Sequence, residues 1–378
     1  MKKRKLGIID FEISPLGFGL MRLPRTNPNT QEIDYPLAEK MIDYAIKNGV
    51  NYFDTAWPYH DGMSETFVGD VLRKYDRSKI HIASKCPMWE VKSLDDVTRI
   101  FNQQLKKCKV DYFDFYLLHA LNERSFQKVI SLGVFDVLSD LKKAGKIKYL
   151  GFSFHDRPSI LKKIVDTYQF DFAQIQFNYV DYEEYQSNKQ YQILRDRNIP
   201  IIIMEPVRGG ALATLNENAR KVFLDYNPQR SVASWALRYC LSFDGILTVL
   251  SGMSNLIQVE DNIKTAIELN KLSKEELNLI ETAKKIYRSS DTILCTNCRY
   301  CMPCPHGVNI PKNFLIYNEY RIHQDPEKFL SDYHHQLSDT EKSNKCVRCN
   351  ECVSKCPQSL EIPKLLYKVS ETIERITE

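Results

Sequence analysis

The sequence predicts an α/β protein in two parts: an eight-stranded (β/α)8 barrel over residues 1–288, then a small helical, cysteine-rich domain over 289–378. Three observations carry this. Short apolar runs alternate eight times with helical stretches between Leu16 and Gly252, with no internal break in composition. No G-x-G-x-x-G follows any of those runs, which argues against an open, doubly wound sheet. Eight of the 11 cysteines fall after residue 294, so their distribution marks a boundary.

In chain order the runs are Ser14–Gly19, Asn51–Phe53, Ile80–Ala83, Phe113–Leu118, Ile147–Leu150, Phe172–Phe177, Ile199–Met204 and Ile246–Leu250. Each is short, apolar and rich in β-branched or aromatic residues, as a strand buried on both faces requires. Between them lie helical patterns such as LAEKMIDYAIKNGV, where Leu37, Met41 and Ala45 recur at helical spacing and Gly49 stands where the helix should stop. Beyond the last run, Lys274–Arg288 reads as a helix that closes the barrel part.

Composition narrows the function classes. With 43% hydrophobic and 26% charged residues the chain has an ordinary globular balance, and a formal net charge of +4 gives no sign of a nucleic-acid partner. The Lys2–Lys5 run reads as a solvated N-terminus. It does not open a signal peptide, because Asp10 and Glu12 interrupt any apolar stretch behind it. No segment approaches the roughly 18 apolar residues of a membrane span. Isolated Cys86, Cys108 and Cys240 beside Cys-x-x-Cys runs do not form a disulfide framework, so a reducing, cytoplasmic setting is expected.

A barrel of this kind carries its site at the C-terminal ends of the strands. Asp54 follows Asn51–Phe53, Lys85 follows Ile82-Ala83-Ser84, and His119 follows Tyr116-Leu117-Leu118, while Tyr59 lies five residues beyond Asp54 on the same loop. Ser153, Gln174, Glu205 and Ser251 sit in or after later strands. This set is suited to reducing a carbonyl. An ordinary tyrosine, with a pKa of about 10, gives up its proton too reluctantly at neutral pH. An adjacent ammonium favours the phenolate, a carboxylate keeps that ammonium charged, and a histidine can orient the carbonyl oxygen.

The segments FDTAWPYHDGMSE (53–65), SKCP (84–87) and YLLHAL (116–121) resemble the aldo-keto reductase family, whose Asp, Tyr, Lys and His tetrad falls here on Asp54, Tyr59, Lys85 and His119. The likeness continues through LGFGLMRLP, YLGFSFH, AQIQFNY, MEPVRGG and LSGMSNLIQVEDN. It implies an NADPH- or NADH-dependent enzyme interconverting a small-molecule carbonyl and its alcohol. It places Ser153 and Gln174 on the nicotinamide carboxamide and Ser251, Gly252, Ser254, Gln258, Asp261 and Asn262 along the adenosine half; Arg208 is a candidate for the pyrophosphate, and Glu205 a further candidate cofactor contact. The stretch from Ser251 to Asn262 carries no Lys or Arg to pair with a 2′-phosphate, so cofactor preference stays open. Trp57, Trp89 and Tyr179 are candidate pocket walls, and His60 and His155 also stand near strand ends.

The cysteine domain carries Cys295-x2-Cys298-x2-Cys301-x2-Cys304-Pro305 and Cys346-x2-Cys349-x2-Cys352-x3-Cys356-Pro357. The second is the spacing of bacterial ferredoxins, and the first departs from it by one residue. Zinc competes, but a zinc site takes two separated pairs and does not usually space three thiols at equal steps before Cys-Pro. Two [4Fe-4S] clusters are expected with crossed ligands: Cys295, Cys298, Cys301 and Cys356 for one, Cys346, Cys349, Cys352 and Cys304 for the other. Helices are expected near Pro311 and Pro326, so the domain resembles the α-helical ferredoxins. A ferredoxin-like electron partner is then a second expectation. An electron-transfer protein and a redox-sensing nucleotide-binding protein are the alternatives to the reductase.

Overall fold

A computed structural model describes residues 1–27 and 30–377. An N-terminal hairpin of β1 (Arg4–Leu6) and β2 (Ile9–Ile13) precedes eight barrel strands: β3 (Leu16–Gly19), β4 (Tyr52–Asp54), β5 (His81–Cys86), β6 (Phe113–Leu121), β7 (Ile147–Phe154), β8 (Phe172–Gln176), β9 (Ile201–Met204) and β10 (Ile246–Gly252). The eight are parallel and hydrogen-bonded in chain order, and β10 closes the ring onto β3 through Val249–Leu16 to Gly252–Gly19. Every predicted apolar run contributes its strand, and almost every strand residue is buried because helices cover the outer face while side chains fill the inner one. Fully buried aromatic residues such as Phe53, Phe113 and Phe115 each contribute roughly 1.5–3 kcal/mol by leaving water.

The hairpin corrects the reading of the N-terminus. Lys2, Lys3 and Lys5 are exposed, but Arg4 is half-buried and donates to the backbone carbonyls of Ile246 (2.9 Å) and Leu241 (3.3 Å). Ile9 and Ile13 of β2 join a buried cluster with Tyr52, Phe115, Phe172 and Leu247. Tyr52 and Phe172 open their strands, so the hairpin seals the N-terminal end and leaves the opposite end for chemistry.

The chain divides into two compact units, 1–206 with 233–273, and 207–232 with 274–378. In the second, helices Ile310–His323, Pro326–His335 and Ile362–Thr377 enclose an apolar core that includes Val308, Phe314, Tyr317, Phe329 and Leu366. The first two begin where the prolines predict, Pro311 and Pro326 both standing in the first turn. Helices Glu217–Tyr226 and Lys274–Arg288 pack together in this unit. So does the tight turn at Gly209, whose φ of +66° and distance of 2.4 Å from a would-be Cβ to the Thr296 carbonyl oxygen leave room for glycine alone. Among the described residues no helix is long and apolar enough to cross a membrane.

Candidate active site

Strand order sets the site. Asp54 ends β4, Lys85 lies in β5 and His119 in β6, three neighbouring strands whose C-terminal ends open on one side of the barrel. Tyr59 is brought back over them by a loop in which its N–H donates to the Ala56 carbonyl (3.1 Å) and Ser64 N–H donates to its own carbonyl (3.2 Å). The Lys85 ammonium is wholly buried and donates to Asp54 Oδ1 (2.6 Å), the Thr55 carbonyl (2.8 Å) and the Tyr59 hydroxyl (3.2 Å). The His119 ring stands edge-on to Tyr59, centroids 6.2 Å apart, and the Trp89 ring lies 5.0 Å from it. The four tetrad candidates therefore share one buried pocket, at 0–8% exposure.

The electrostatics follow from that burial. Loss of water pushes the Asp54 carboxyl up and the Lys85 ammonium down, and each shift is opposed by their contact. His119 falls well below the usual histidine range, through burial first and then the nearby Lys85 charge, so it stands neutral. A neutral imidazole beside a held ammonium can donate one hydrogen bond without adding a second positive charge.

Sequence reasoning missed the brace behind this set. Glu65, fully buried in helix Ser64–Leu72, accepts from Ser84 Oγ (2.7 Å) and from Gln104 Nε2, which also donates to the Lys85 carbonyl (3.0 Å). Gly69 lets that helix press on the end of helix Leu94–Cys108, since a Cβ there would lie 2.3 Å from the Lys107 carbonyl oxygen. The strand position of Lys85 is thus fixed by a buried polar network whose bonded partners lie 19 to 39 residues apart in sequence, a separation that gives no local signal.

The residues expected to hold a nicotinamide nucleotide fall in two groups. Ser153 and Gln174 are register partners on β7 and β8. Ser153 Oγ accepts from Ala120 N–H (2.7 Å), and the buried Gln174 Oε1 has no hydrogen-bond partner among the described residues, as a group kept for a carboxamide N–H would require. Ser251 and Gly252 end β10, where Ser251 Oγ accepts from Asn262 (2.9 Å). The Ser254 N–H donates to Gln258 Oε1 (2.7 Å), and Asn255 caps helix Leu256–Ile267, which carries Gln258, Asp261 and Asn262. Arg208 is buried in the second compact unit, apart from this group in the division of the chain. Glu205 follows β9 and pairs with Arg22 (3.5 Å). Arg22 is a second missed residue: its side chain lies against Gly252, and its carbonyl accepts from Ser254 Oγ (2.9 Å). Arg22, in the short helix Leu20–Arg22 after β3, thus brings a cation beside the 251–262 segment, which carries none of its own.

Other candidates sort by contact. His60 is structural, since its Nε2 accepts from Leu23 N–H (3.1 Å) and its Nδ1 faces the Gln31 carbonyl (2.9 Å). His155, just past β7, has a buried Nδ1 without a hydrogen-bond partner, and burial lowers its pKa to about 4. Trp89 is 46% exposed beside His119 and suits a pocket wall. Trp57 lies under the Lys107 ammonium, and Tyr179 is fully buried beside Tyr239.

The cysteines of the two motifs gather around two small recesses. Cys295, Cys298, Cys301 and Cys356 line one, with Phe314, Leu360 and Ile362; Cys304, Cys346, Cys349 and Cys352 line the other, with Val347, Pro363 and Leu366. Burial and the neighbouring Cys298, Cys295, Cys356 and Cys352 thiols push Cys301 upward. Four thiolates crowded in an apolar recess repel one another unless a cationic group draws them together, so the donor set suits an iron-sulfur cluster in each.

A (β/α)8 barrel with a buried Asp-Lys-Tyr-His group at its mouth is the architecture of an oxidoreductase. Residues 15–285 match the aldo/keto reductase family, and the chain belongs to it. Residues 294–360 match the 4Fe-4S dicluster domain. Among curated relatives, the oxidoreductase YqkF of Bacillus subtilis is 28% identical over 76% of this chain and 99% of its own. The NADH-specific methylglyoxal reductase of Escherichia coli is 25% identical over 76% and 100%. Among solved structures, the holo form of aldo-keto reductase AKR11C1 from Bacillus halodurans superposes with a TM-score of 0.63 at 27% identity, over 75% of this chain and 96% of that one.

Proposed function

We propose that the barrel reduces an aldehyde or ketone to its alcohol, and runs the reverse reaction, with a nicotinamide nucleotide as redox partner, and that this catalytic part spans 1–288 with an iron-sulfur part over 289–378. The observation that carries it is the buried Lys85 ammonium, held by Asp54 and in contact with the Tyr59 hydroxyl. A reduced nicotinamide supplies the hydride. The protein's part is to place and hold the proton. Tyr59 donates it to the carbonyl oxygen, and the Lys85 charge stabilises the phenolate left behind. Asp54 keeps Lys85 charged at a depth where it would otherwise shed its proton. His119, neutral and adjacent, donates to the same oxygen and fixes its direction. Ser153 and the open Gln174 Oε1 hold the carboxamide, and the Ser251–Asn262 segment holds the adenosine half.

Discrimination between NADPH and NADH is modest in this account, because the Arg22 guanidinium is shared with Glu205. The methylglyoxal reductase relative makes short oxoaldehydes the first substrates to assay. Unbridged cysteines and two thiol-lined recesses support a reducing compartment such as the cytoplasm as its setting. The test is isotopic. Incubation with nicotinamide nucleotide deuterated at C4, across a panel of aldehydes and ketones, should give alcohol carrying one deuterium at the former carbonyl carbon. Nucleotide bound with no labelled alcohol from any carbonyl would refute the assignment.

A further inference from the structure

The two cysteine recesses differ in how far they reach the surface. In the first, Cys301 is buried and Cys295, Cys298 and Cys356 are partly covered. In the second, Cys349 is exposed, Val347 at 59% exposure lines the recess with it, and Tyr367 at 53% exposure stands next to Arg348. The second recess is therefore the outer one, with a thiol and an exposed apolar side chain on its rim.

Charge marks the same rim. From residue 342 to 356 the chain carries Lys342, Lys345, Arg348 and Lys355 against the single carboxylate of Glu351. Lys342 is paired with Asp339 (2.7 Å), whereas Lys345, Arg348 and Lys355 are exposed and have no ion-pair partner among the described residues. Arg348 lies over the Tyr367 ring (5.0 Å), which holds its guanidinium in place. By contrast, the acidic group next to the first motif, Asp291, is already bound to Lys368 (2.8 Å) and Arg321 (3.6 Å). Exposed Lys345 and Arg348 thus flank Cys346 and Cys349 of the outer recess in the chain, beside Val347 and Tyr367, and exposed Lys355 follows three residues after Cys352. That combination suits a brief, electrostatically steered encounter with a protein of opposite sign, since weak redox encounters use small interfaces and complementary charge mainly sets their rate.

We propose that the surface formed by Val347, Tyr367, Lys345, Arg348 and Lys355 docks an acidic one-electron carrier protein of the ferredoxin class, and that electrons enter or leave through the Cys304/Cys346/Cys349/Cys352 recess. The inference rests on the reading of the two recesses as cluster sites. The step balances simply: one electron leaves the reduced carrier, one is taken up at the outer recess, and no bond or proton need change hands. Barrel chemistry is not required for it.

The experiment uses the full chain, purified anaerobically, with iron and sulfide measured first. Stopped-flow bleaching of the cluster absorbance is followed with two reductants, a reduced acidic [2Fe-2S] ferredoxin and the small cation reduced methyl viologen. With the ferredoxin, the bimolecular rate should fall steeply as salt rises and drop at least about tenfold in Lys345→Glu, Arg348→Glu and Lys355→Glu at low salt. With methyl viologen the same variants should reduce as fast as wild type or faster, which shows that their clusters are intact. Iron-free protein would overturn the cluster reading itself. Iron-loaded protein whose reduction by ferredoxin is indifferent to salt and to all three reversals would overturn the docking surface alone.

Discussion

Replacing Lys85 by methionine separates the structural from the chemical role of the buried pair. Lys85 is fully buried, and Asp54, 2% exposed, has its Oδ1 on the ammonium and its Oδ2 without a hydrogen-bond partner. Lys85→Met leaves that carboxylate buried and unpaired, which costs about 3–5 kcal/mol of stability. Burial already pushes Asp54 upward. Without its cation the carboxyl rises further, and a raised native pKa gives stability that is present at low pH and lost as pH climbs through it. The variant should therefore be most deficient relative to wild type at pH 8, and the gap should narrow toward pH 5. The double variant Asp54→Asn/Lys85→Met buries no charge and should regain most of the lost stability. Carbonyl turnover should not return with it, because the charge that stabilises the Tyr59 phenolate is gone, at a loss of roughly 10² to 10⁴ in kcat/KM. Urea unfolding at several pH values and steady-state kinetics measure both effects. A single variant as stable as wild type at pH 8, or a double variant that turns over normally, would refute the reasoning.

Further outcomes follow from the same geometry. His155 is held neutral with its pKa at about 4, so between the unfolded value near 6.5 and pH 4 the unfolded chain takes up a proton that the native state refuses. Stability should fall over that window, and His155→Asn should flatten the fall in a pH series of urea midpoints. Glu205→Gln releases the Arg22 guanidinium and should raise the NADPH to NADH ratio of kcat/KM by about tenfold, while Arg22→Ala in the same background removes the gain. Anaerobically prepared protein should hold about eight irons per chain, and Cys356→Ser about four, with the loss at the recess of Cys295, Cys298 and Cys301. Loss at the Cys346 recess instead would show the pairing to be wrong.

What was legible in the sequence was whatever repeats or stands close in the chain. The eight strands showed as apolar runs because both faces of a parallel strand are buried, and Pro311 and Pro326 marked their helices because proline suits a first turn. The Asp54, Lys85 and His119 positions were readable because each directly follows the apolar run of its strand and lies toward the C-terminal end of that strand. The N-terminal hairpin was not: β1 is three residues long and its Arg4 and Lys5 look like a polar tail until Arg4 is seen bonded to carbonyls more than 230 residues away. Arg22 and Glu65 were illegible for the same reason, since their partners come from distant loops and helices. The last helix, Ile362–Thr377, could have been found, because Ile362, Leu366, Val369 and Ile373 follow helical spacing.

The account stands most directly on the proton supplied by Tyr59. Tyr59→Phe removes one hydroxyl from a residue that is 8% exposed, and Lys85 keeps its bonds to Asp54 and the Thr55 carbonyl, so the pocket should survive. The decisive measurement is single-turnover reduction of the best carbonyl by the variant, beside its nucleotide affinity from fluorescence titration. The account predicts a rate at least about a hundredfold below wild type with nucleotide affinity within about threefold. Turnover within about threefold of wild type would contradict it, because the proton would then come from a group other than Tyr59.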